Sequence, residues 1–325
     1  MFTAANELSA TGHGAVLPPD ISVMVPVYNN ADTLDELIDR LIVVLEKVGR
    51  SFELVFVDDG STDASLAILR TRASTDVRLR VFALTRNFGG QSASAAACDQ
   101  ARGRWVVHID ADLENFPEDI PGLIAYLEQG YDLVCGFREN RQHGWLSRRL
   151  PSQLINWYVR RVTGSDIRDV GCGLRAFERH LIRDLAREGE SRRLLTPVLL
   201  RRAQRIVQTP VRHIAKPGSG GHSFLSLLGI AVDYFLVTAW RPFLITALAS
   251  LSAGILALLA LTCGAPRMAL LLSCTGTLGL LASLVGEYAQ RSYQLIQGVP
   301  FYELRDPASL PTVSRPSVDV QQPTE

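Results

Sequence analysis

Lysine is nearly absent from this chain: Lys47 and Lys216 are the only two, and arginine carries the rest of the positive charge. That bias says more about genome composition than about chemistry. Net charge is missing too, with 33 Lys and Arg against 33 Asp and Glu. The balance excludes any general electrostatic attraction for nucleic acid, so no nucleic-acid partner is expected. The five cysteines (Cys98, Cys135, Cys172, Cys263, Cys274) form no C-x-x-C pair and lie in apolar or glycine-rich surroundings. They read as reduced packing residues, neither a zinc site nor a disulfide framework. Residues 1–20 contain Glu7 and His13 and no apolar core of signal-peptide length; they read as a disordered tail that directs nothing across a membrane. There is no internal repeat and no low-complexity tract apart from the two ends. Apolar residues make up 47% of the chain and are unevenly spread.

The most informative stretch is Trp105 to Asp119, WVVHIDADLENFPED. A short apolar run (Trp105, Val106, Val107, Ile109) reads as a buried strand and ends in Asp110, Asp112 and Glu114. A helix follows, with Pro117 in its first turn and Ile120, Leu123, Ile124 and Leu127 on one face. In an open α/β sheet, ligands bind beyond the carboxyl ends of the strands, where these acids fall. Bunched carboxylates repel one another unless a cation neutralises them, and hard oxygen ligands favour Mg²⁺ or Mn²⁺ holding a substrate's phosphates. The plain alternative is a solvated acidic turn.

Upstream, Ile21 to Val27 is a strand run ending in Tyr28-Asn29-Asn30, and Leu34, Leu37, Ile38, Leu41, Leu45 and Val48 have helical spacing. Phe52 to Val57 is a second strand leading into Asp58-Asp59-Gly60-Ser61-Thr62-Asp63. A helix from about Ala64 to Ala73 precedes a third strand, Leu79 to Leu84. Arg86 to Gln91 then leads into a small-residue helix, Ser92 to Ala101. A fifth strand is expected at Asp132 to Gly136. Strands alternating with helices predict an α/β, Rossmann-like, doubly wound and mostly parallel sheet. Three strands then end in polar clusters on one edge, which together make a nucleotide site with a metal.

VPVYN, VDDGSTD, RNFGG and DADLENFPE together resemble the family 2 glycosyltransferases of GT-A fold, and among them the polyprenyl-phosphate glycosyltransferases. The likeness runs from residue 21 to about 300. It implies that Pro26, Tyr28, Asn30, Asp58, Asp59 and Asp110 contact the nucleotide and that Asp110, Asp112 and Glu114 ligate the metal. Two positions depart from the pattern: the family usually has an acid where Asn30 stands, and relatives often have Gln where Glu114 stands. QARGRW (Gln100 to Trp105) resembles an element of processive polysaccharide synthases, but it has one residue too many and precedes the acidic motif, so it is set aside.

Arg138, Arg141, Arg148 and Arg149 follow the fifth strand. Such a run is ordinarily a solvated helix face, yet guanidinium forks beyond a sheet edge suit phosphate. The resemblance favours Arg138 and Arg141 as diphosphate or acceptor contacts. It also matches DIRDVGCGLRAFE (Asp166 to Glu178) to a family element whose carboxylate, here Asp169, points at the sugar and the acceptor phosphate; turn capping is the alternative. His180, His213 and His222 read as surface or packing residues.

Phe243 to Cys263 and Met268 to Gly286 are uncharged runs of 21 and 19 residues, each long enough to cross a hydrocarbon core. Gly264 to Arg267 between them permits only a hairpin. Arg241, Arg291 and Arg305 lie outside the pair, which puts both outer ends in the cytoplasm. Phe224 to Trp240 suits a helix lying in the membrane interface. The resulting division is a tail (1–20), a GT-A catalytic domain (21–222), an interfacial amphipathic helix (223–241), a two-helix transmembrane hairpin (242–288) and a cytoplasmic C-terminal tail (289–325). The expected protein is a multi-pass enzyme of the inner (cytoplasmic) membrane with its catalytic domain in the cytoplasm. The resemblance implies inverting transfer of one sugar from a nucleotide sugar, UDP favoured, to polyprenyl (undecaprenyl) phosphate, with Asp169, Asp112, Arg138 and Arg141 as the catalytic set. It leaves a homo-oligomer open. Lys216-Pro217-Gly218-Ser219-Gly220-Gly221 departs from the family at Gly221, where relatives carry a lysine near the acceptor phosphate. Two rivals therefore stand: another lipid acceptor on the same fold, and a catalytically idle membrane assembly partner.

Overall fold

The computed structural model describes residues 17–138, 159–161, 164, 166–183, 185, 195–214 and 301–305, with isolated helical positions between 273 and 292. The strand β1 (Ile21–Val27) is buried almost throughout, as its apolar run requires of a strand covered on both faces. Pro26 still pairs with Val57 on one side of this central strand, but on the other side the ladder, to residues 105–108, ends earlier, at the pairing of Met24 with His108, so that side needs no N–H from it. Helix α1 (Leu34–Val48) buries Leu34, Leu37, Ile38, Leu41, Val44 and Leu45 and stops at Gly49, whose φ of 71° is the left-handed conformation of a helix C-terminus. Then come β2 (Phe52–Asp58), α2 (Ser65–Thr75), β3 (Leu79–Ala83), α3 (Gly90–Gln100), β4 (Trp105–His108), α4 (Ile120–Glu128) and β5 (Leu133–Arg138). All agree with the sequence reading to within a few residues. Pro117 opens a single 3₁₀ turn that runs into α4.

Three elements were not foreseen: β6 (Arg175–Glu178), α5 (Leu195–Arg202) and β7 (Ile206–Val211). The seven strands lie in the order β3-β2-β1-β4-β6-β5-β7. Only β6 runs antiparallel, inserted between β4 and β5. One side of the sheet packs on α1, α2 and α4. The other packs on α3 and α5. The run Ala95, Ala96 and Ala97 with Ala93 in α3 is buried, and these small side chains let the helix approach β1 and β2 closely.

Residues 301–305 return to the sheet at the β3 edge. Leu304 bridges Leu84, Thr85 N donates to Glu303 O (2.9 Å) and Arg305 N donates to Ala83 O (2.7 Å). Tyr302 donates its hydroxyl proton to Asp99 at 2.6 Å. The stretch expected as a tail thus covers an exposed sheet edge. Among the described residues no helix is long and apolar enough to cross a membrane. The expected interfacial helix, the first span, most of the second span, the segment Lys216 to His222 and Arg141 lie outside the described residues.

Candidate active site

Strands β1, β2, β3 and β4 run parallel, and β5 runs in their direction because β6 opposes both β4 and β5. The residues that follow β1, β2 and β4, the end of β5 and the loop leading into β6 therefore share one edge. Chain topology alone brings Tyr28, Asn30, Asp58, Asp59, Asp110, Asp112, Arg138 and Asp169 to that edge.

Asp58 and Asp59 are almost completely buried there. Asp59 Oδ1 accepts from Phe88 N at 2.8 Å, which ties the 86–90 loop to the end of β2. Asp58 Oδ2 accepts from Ser61 N at 3.2 Å. Its Oδ1 is buried and has no hydrogen-bond partner among the described residues. Burial raises both carboxyls above their ordinary values. Gly60 turns the chain between them and the rest of VDDGSTD. Its φ is 67°, and a Cβ would come within 2.6 Å of the Arg86 carbonyl carbon. The β1 end is stitched to the same turn, since Asn29 Oδ1 accepts from Thr62 N at 2.8 Å and Asn29 N donates to Ser61 Oγ at 3.0 Å. Asn30 spends its side-chain oxygen on Tyr28 N (3.2 Å), while Tyr28 stays largely exposed and Pro26 half-buried.

The acidic turn is built differently. Asp110, Asp112 and Glu114 are half-buried. Leu113 has a φ of 60°, a costly conformation for a branched side chain and one often kept at functional turns. Here it lets Glu114 N donate to Asp112 Oδ1 at 2.9 Å. Asp110 faces the loop before β6 so closely that a Cβ at Gly173 would overlap its carboxylate. Two buried side chains hold that loop from beneath. His108 Nδ1 donates to Gly173 O at 2.7 Å while its Nε2 meets Ser94 Oγ at 3.2 Å. Arg175 donates to Cys172 O at 2.6 Å and to Thr196 Oγ1. Burial holds the His108 imidazole below its ordinary value, against the pull of Asp110. A neutral ring facing a carbonyl at Nδ1 presents Nε2 as an acceptor, and the Ser94 hydroxyl there also reaches Gly90 O at 2.9 Å, so its one proton lies between two acceptors.

On the far side of Asp110, Arg138 grips the buried Asp169 with both arms of its fork: Nε to Oδ2 at 2.7 Å and an Nη to Oδ1 at 3.0 Å. The two residues favoured for the acceptor side are thus partners. Their neighbour is His213, whose Nε2 lies 3.2 Å from Glu114 Oε2. His213, His108 and Arg175 are the site residues that the sequence reading missed. None has a partner at recognisable spacing, and only strand pairing brings them in.

Among the described residues, no three His, Cys, Asp or Glu side chains converge on one metal position. Asp110 and Asp112 nonetheless fit a divalent cation of the Mg²⁺ type, which is ordinarily held by one or two carboxylates together with substrate phosphates.

A family model described as Glycosyl transferase family 2 matches residues 22–186. A Pectobacterium atrosepticum protein named undecaprenyl-phosphate 4-deoxy-4-formamido-L-arabinose transferase is 36% identical over 313 residues, covering 90% of this chain and 95% of its own. The Proteus mirabilis protein of that name is 34% identical over 301 residues, covering 87% and 92%. Two solved structures share the fold. Glucosyl-3-phosphoglycerate synthase from M. tuberculosis is 21% identical with a TM-score of 0.50, covering 68% of this chain and 81% of its own. Mannosyl-3-phosphoglycerate synthase from Rubrobacter xylanophilus is 17% identical with a TM-score of 0.50, covering 69% and 74%.

Proposed function

The chain belongs to glycosyltransferase family 2 and is a glycosyltransferase, and on that premise we propose that it moves one sugar, with inversion, from a nucleotide-diphosphate sugar to a polyprenyl phosphate at a membrane surface. The observation that carries the reading is the gathering of Asp58, Asp59, Asp110, Asp112 and the Arg138–Asp169 pair on one sheet edge. The lipid acceptor is supported by relatives that match over nine-tenths of the chain and bear undecaprenyl phosphate in their names.

Asp58 and Asp59, at the closed end of the edge, receive the nucleoside, and the buried Oδ1 of Asp58 takes a donor from it. UDP is favoured over GDP. Asp110 and Asp112 hold Mg²⁺ or Mn²⁺. When bound, the ion neutralises the leaving diphosphate as a Lewis acid. Arg138, with Arg141 beyond the described residues, binds phosphate oxygens. Its fork on Asp169 holds that carboxylate where it orients the sugar. The acceptor phosphate is already anionic near neutral pH, so it attacks the anomeric carbon without a strong base and the residues act by position and charge.

Membrane anchoring through residues 242–288 and a cytoplasmic catalytic domain belong to the same proposal. Residues 206–214 and 301–305 both pack on the catalytic domain. Any excursion into a bilayer between them therefore begins and ends on one side, which supports an even number of crossings.

The test is sugar transfer from labelled UDP- and GDP-sugars to undecaprenyl phosphate by detergent-purified protein, with Mg²⁺ or Mn²⁺ and with Asp112→Ala in parallel. A lipid-linked product that disappears with chelator and in the variant is expected. Product on a diacylglycerol or sphingoid alcohol but not on polyprenyl phosphate would replace the acceptor. Failure to bind any nucleotide sugar would remove the nucleotide-sugar donor.

A further inference from the structure

The segment leaving β7 closes over the acidic turn through four contacts. Arg212 N and Nε each donate to Asp119 at 2.8 Å. His213 pairs with Asn115 as an antiparallel bridge. Ile214 N donates to Glu114 O at 3.0 Å. The His213 imidazole meets the Glu114 carboxylate at 3.2 Å, with both side chains mostly buried. Glu114 is thus gripped at its carbonyl and its side chain, while its own N–H holds Asp112 Oδ1 at 2.9 Å. The other end of the connection is as well defined. Val211, two residues before His213, pairs with Arg138 across the β5–β7 ladder, and Arg138 carries Asp169. Burial and then Arg138 hold the His213 imidazole below its ordinary value while Glu114 opposes them, so all three groups lie within electrostatic reach.

We propose that Glu114 is not a ligand of the metal in this chain but the anchor of a clasp, with His213 as its partner, that fixes Asp112 relative to the Arg138–Asp169 pair. The inference rests on the transferase reading. It accounts for an acid at position 114, where relatives of the resembled group often carry Gln. The extra carboxylate accepts the Nε2–H of the neutral imidazole, and the Arg138 guanidinium is the positive charge that faces it. Both residues act through Asp112 and are positioning residues; neither touches the reacting atoms. The partner of Glu114 sits ninety-nine positions further along the chain, immediately before the segment expected to meet the acceptor phosphate. The clasp thus joins the metal side of the site to its acceptor side.

The experiment compares Glu114→Ala, His213→Ala and the double variant with wild type and Asp112→Ala in the full-length protein. Mn²⁺ affinity in the presence of UDP is read by the electron paramagnetic resonance of the free ion, and kcat and KM by sugar transfer to undecaprenyl phosphate. Each single variant is expected to lower kcat about tenfold, the range for groups that orient a ligand. KM for the nucleotide sugar and the Mn²⁺ affinity are expected to stay within about threefold of wild type. The double variant should be no worse than the poorer single one, because both changes break one contact. Asp112→Ala should lose Mn²⁺ binding. A Mn²⁺ affinity reduced tenfold or more by Glu114→Ala and untouched by His213→Ala would make Glu114 a ligand and overturn the clasp. So would losses that multiply in the double variant. Melting temperatures identify a variant that does not fold, in which case Glu114→Gln or His213→Gln takes its place. If wild type makes no lipid-linked product, the transferase reading fails, while the Mn²⁺ arm still decides whether Glu114 is a ligand.

Discussion

Strand β2 begins and ends on a buried carboxylate, and its two ends are built in opposite ways. Glu53 near the start is saturated. It accepts from Ser22 Oγ at 2.6 Å, from the Arg102 amide and guanidinium at 2.7–2.9 Å and from Arg80 at 3.0 Å. Despite the cost of burial, these partners hold its carboxyl below the ordinary range. Asp58 at the far end is as deeply buried, yet one oxygen lacks a partner among the described residues and burial raises its carboxyl. A fold gains nothing from an unsatisfied buried oxygen, and such groups are enriched where a ligand binds. The opening edge of the sheet is a stability device, and the closing edge is held ready for a ligand at some cost to the fold. QARGRW belongs to the first: Arg102 and Gly103 donate to Ser22 Oγ at 3.2 and 2.7 Å, at the edge opposite the carboxylates.

Mutations should separate the two edges, and the largest effect is expected at the closing one. Asp112→Ala should lower sugar transfer about a thousandfold, the scale on which charge-stabilising groups act, and move the melting temperature by no more than about 2 °C. Gly173→Ala comes next. The added methyl displaces the Asp110 carboxylate, so transfer should fall about a hundredfold while stability falls by only ~1–2 kcal/mol. Equal losses of fold and activity in this variant would break the comparison. At the opening edge, Glu53→Ala leaves Arg80 and Arg102 without their acid. Part of each guanidinium reaches water, so the cost should be about 2–3 kcal/mol, below that of a wholly buried pair. Calorimetry should show the lower melting temperature, with nucleotide affinity of the folded protein unchanged.

The smallest effect lies in the pH dependence. The folded pKa of Glu53 is depressed from 4.5, so its contribution is present above that value and is lost as pH falls through the lower folded value. Asp58 and Asp59 have folded values raised from 3.8. Their relative benefit is present below 3.8 and disappears as pH rises through the raised values. Denaturation between pH 3 and 7 should therefore show Glu53→Gln flattening the acid-side loss, and Asp59→Asn reducing the penalty near neutrality.

The parallel half of the sheet could be read from the chain because β1, β2 and β4 are apolar runs that end in turn residues, and each was expected within a residue or two. β6 escaped because its four residues, Arg175 to Glu178, begin and end on charges and show no period. β7 escaped because Pro210 argues against a strand, yet β7 is an edge strand, where proline is tolerated. With both strands missed, the routes by which His213 reaches Glu114 and Arg175 reaches Cys172 O were invisible. Asp110, Asp112 and Asp169 were found as motifs. The bidentate hold of Arg138 on Asp169 could not be, since it depends on where the antiparallel insertion places the loop before β6.

The most direct test of the division between edges is nucleotide binding and melting temperature measured side by side for Asp58→Asn and Glu53→Gln. UDP and GDP binding would be followed by isothermal titration calorimetry. Asp58→Asn should lose nucleotide affinity tenfold or more, about 1.4 kcal/mol, with a melting temperature equal to or above that of wild type. Glu53→Gln should melt lower and bind nucleotide normally. An Asp58→Asn protein that melts several degrees lower and still binds nucleotide as tightly as wild type would contradict it.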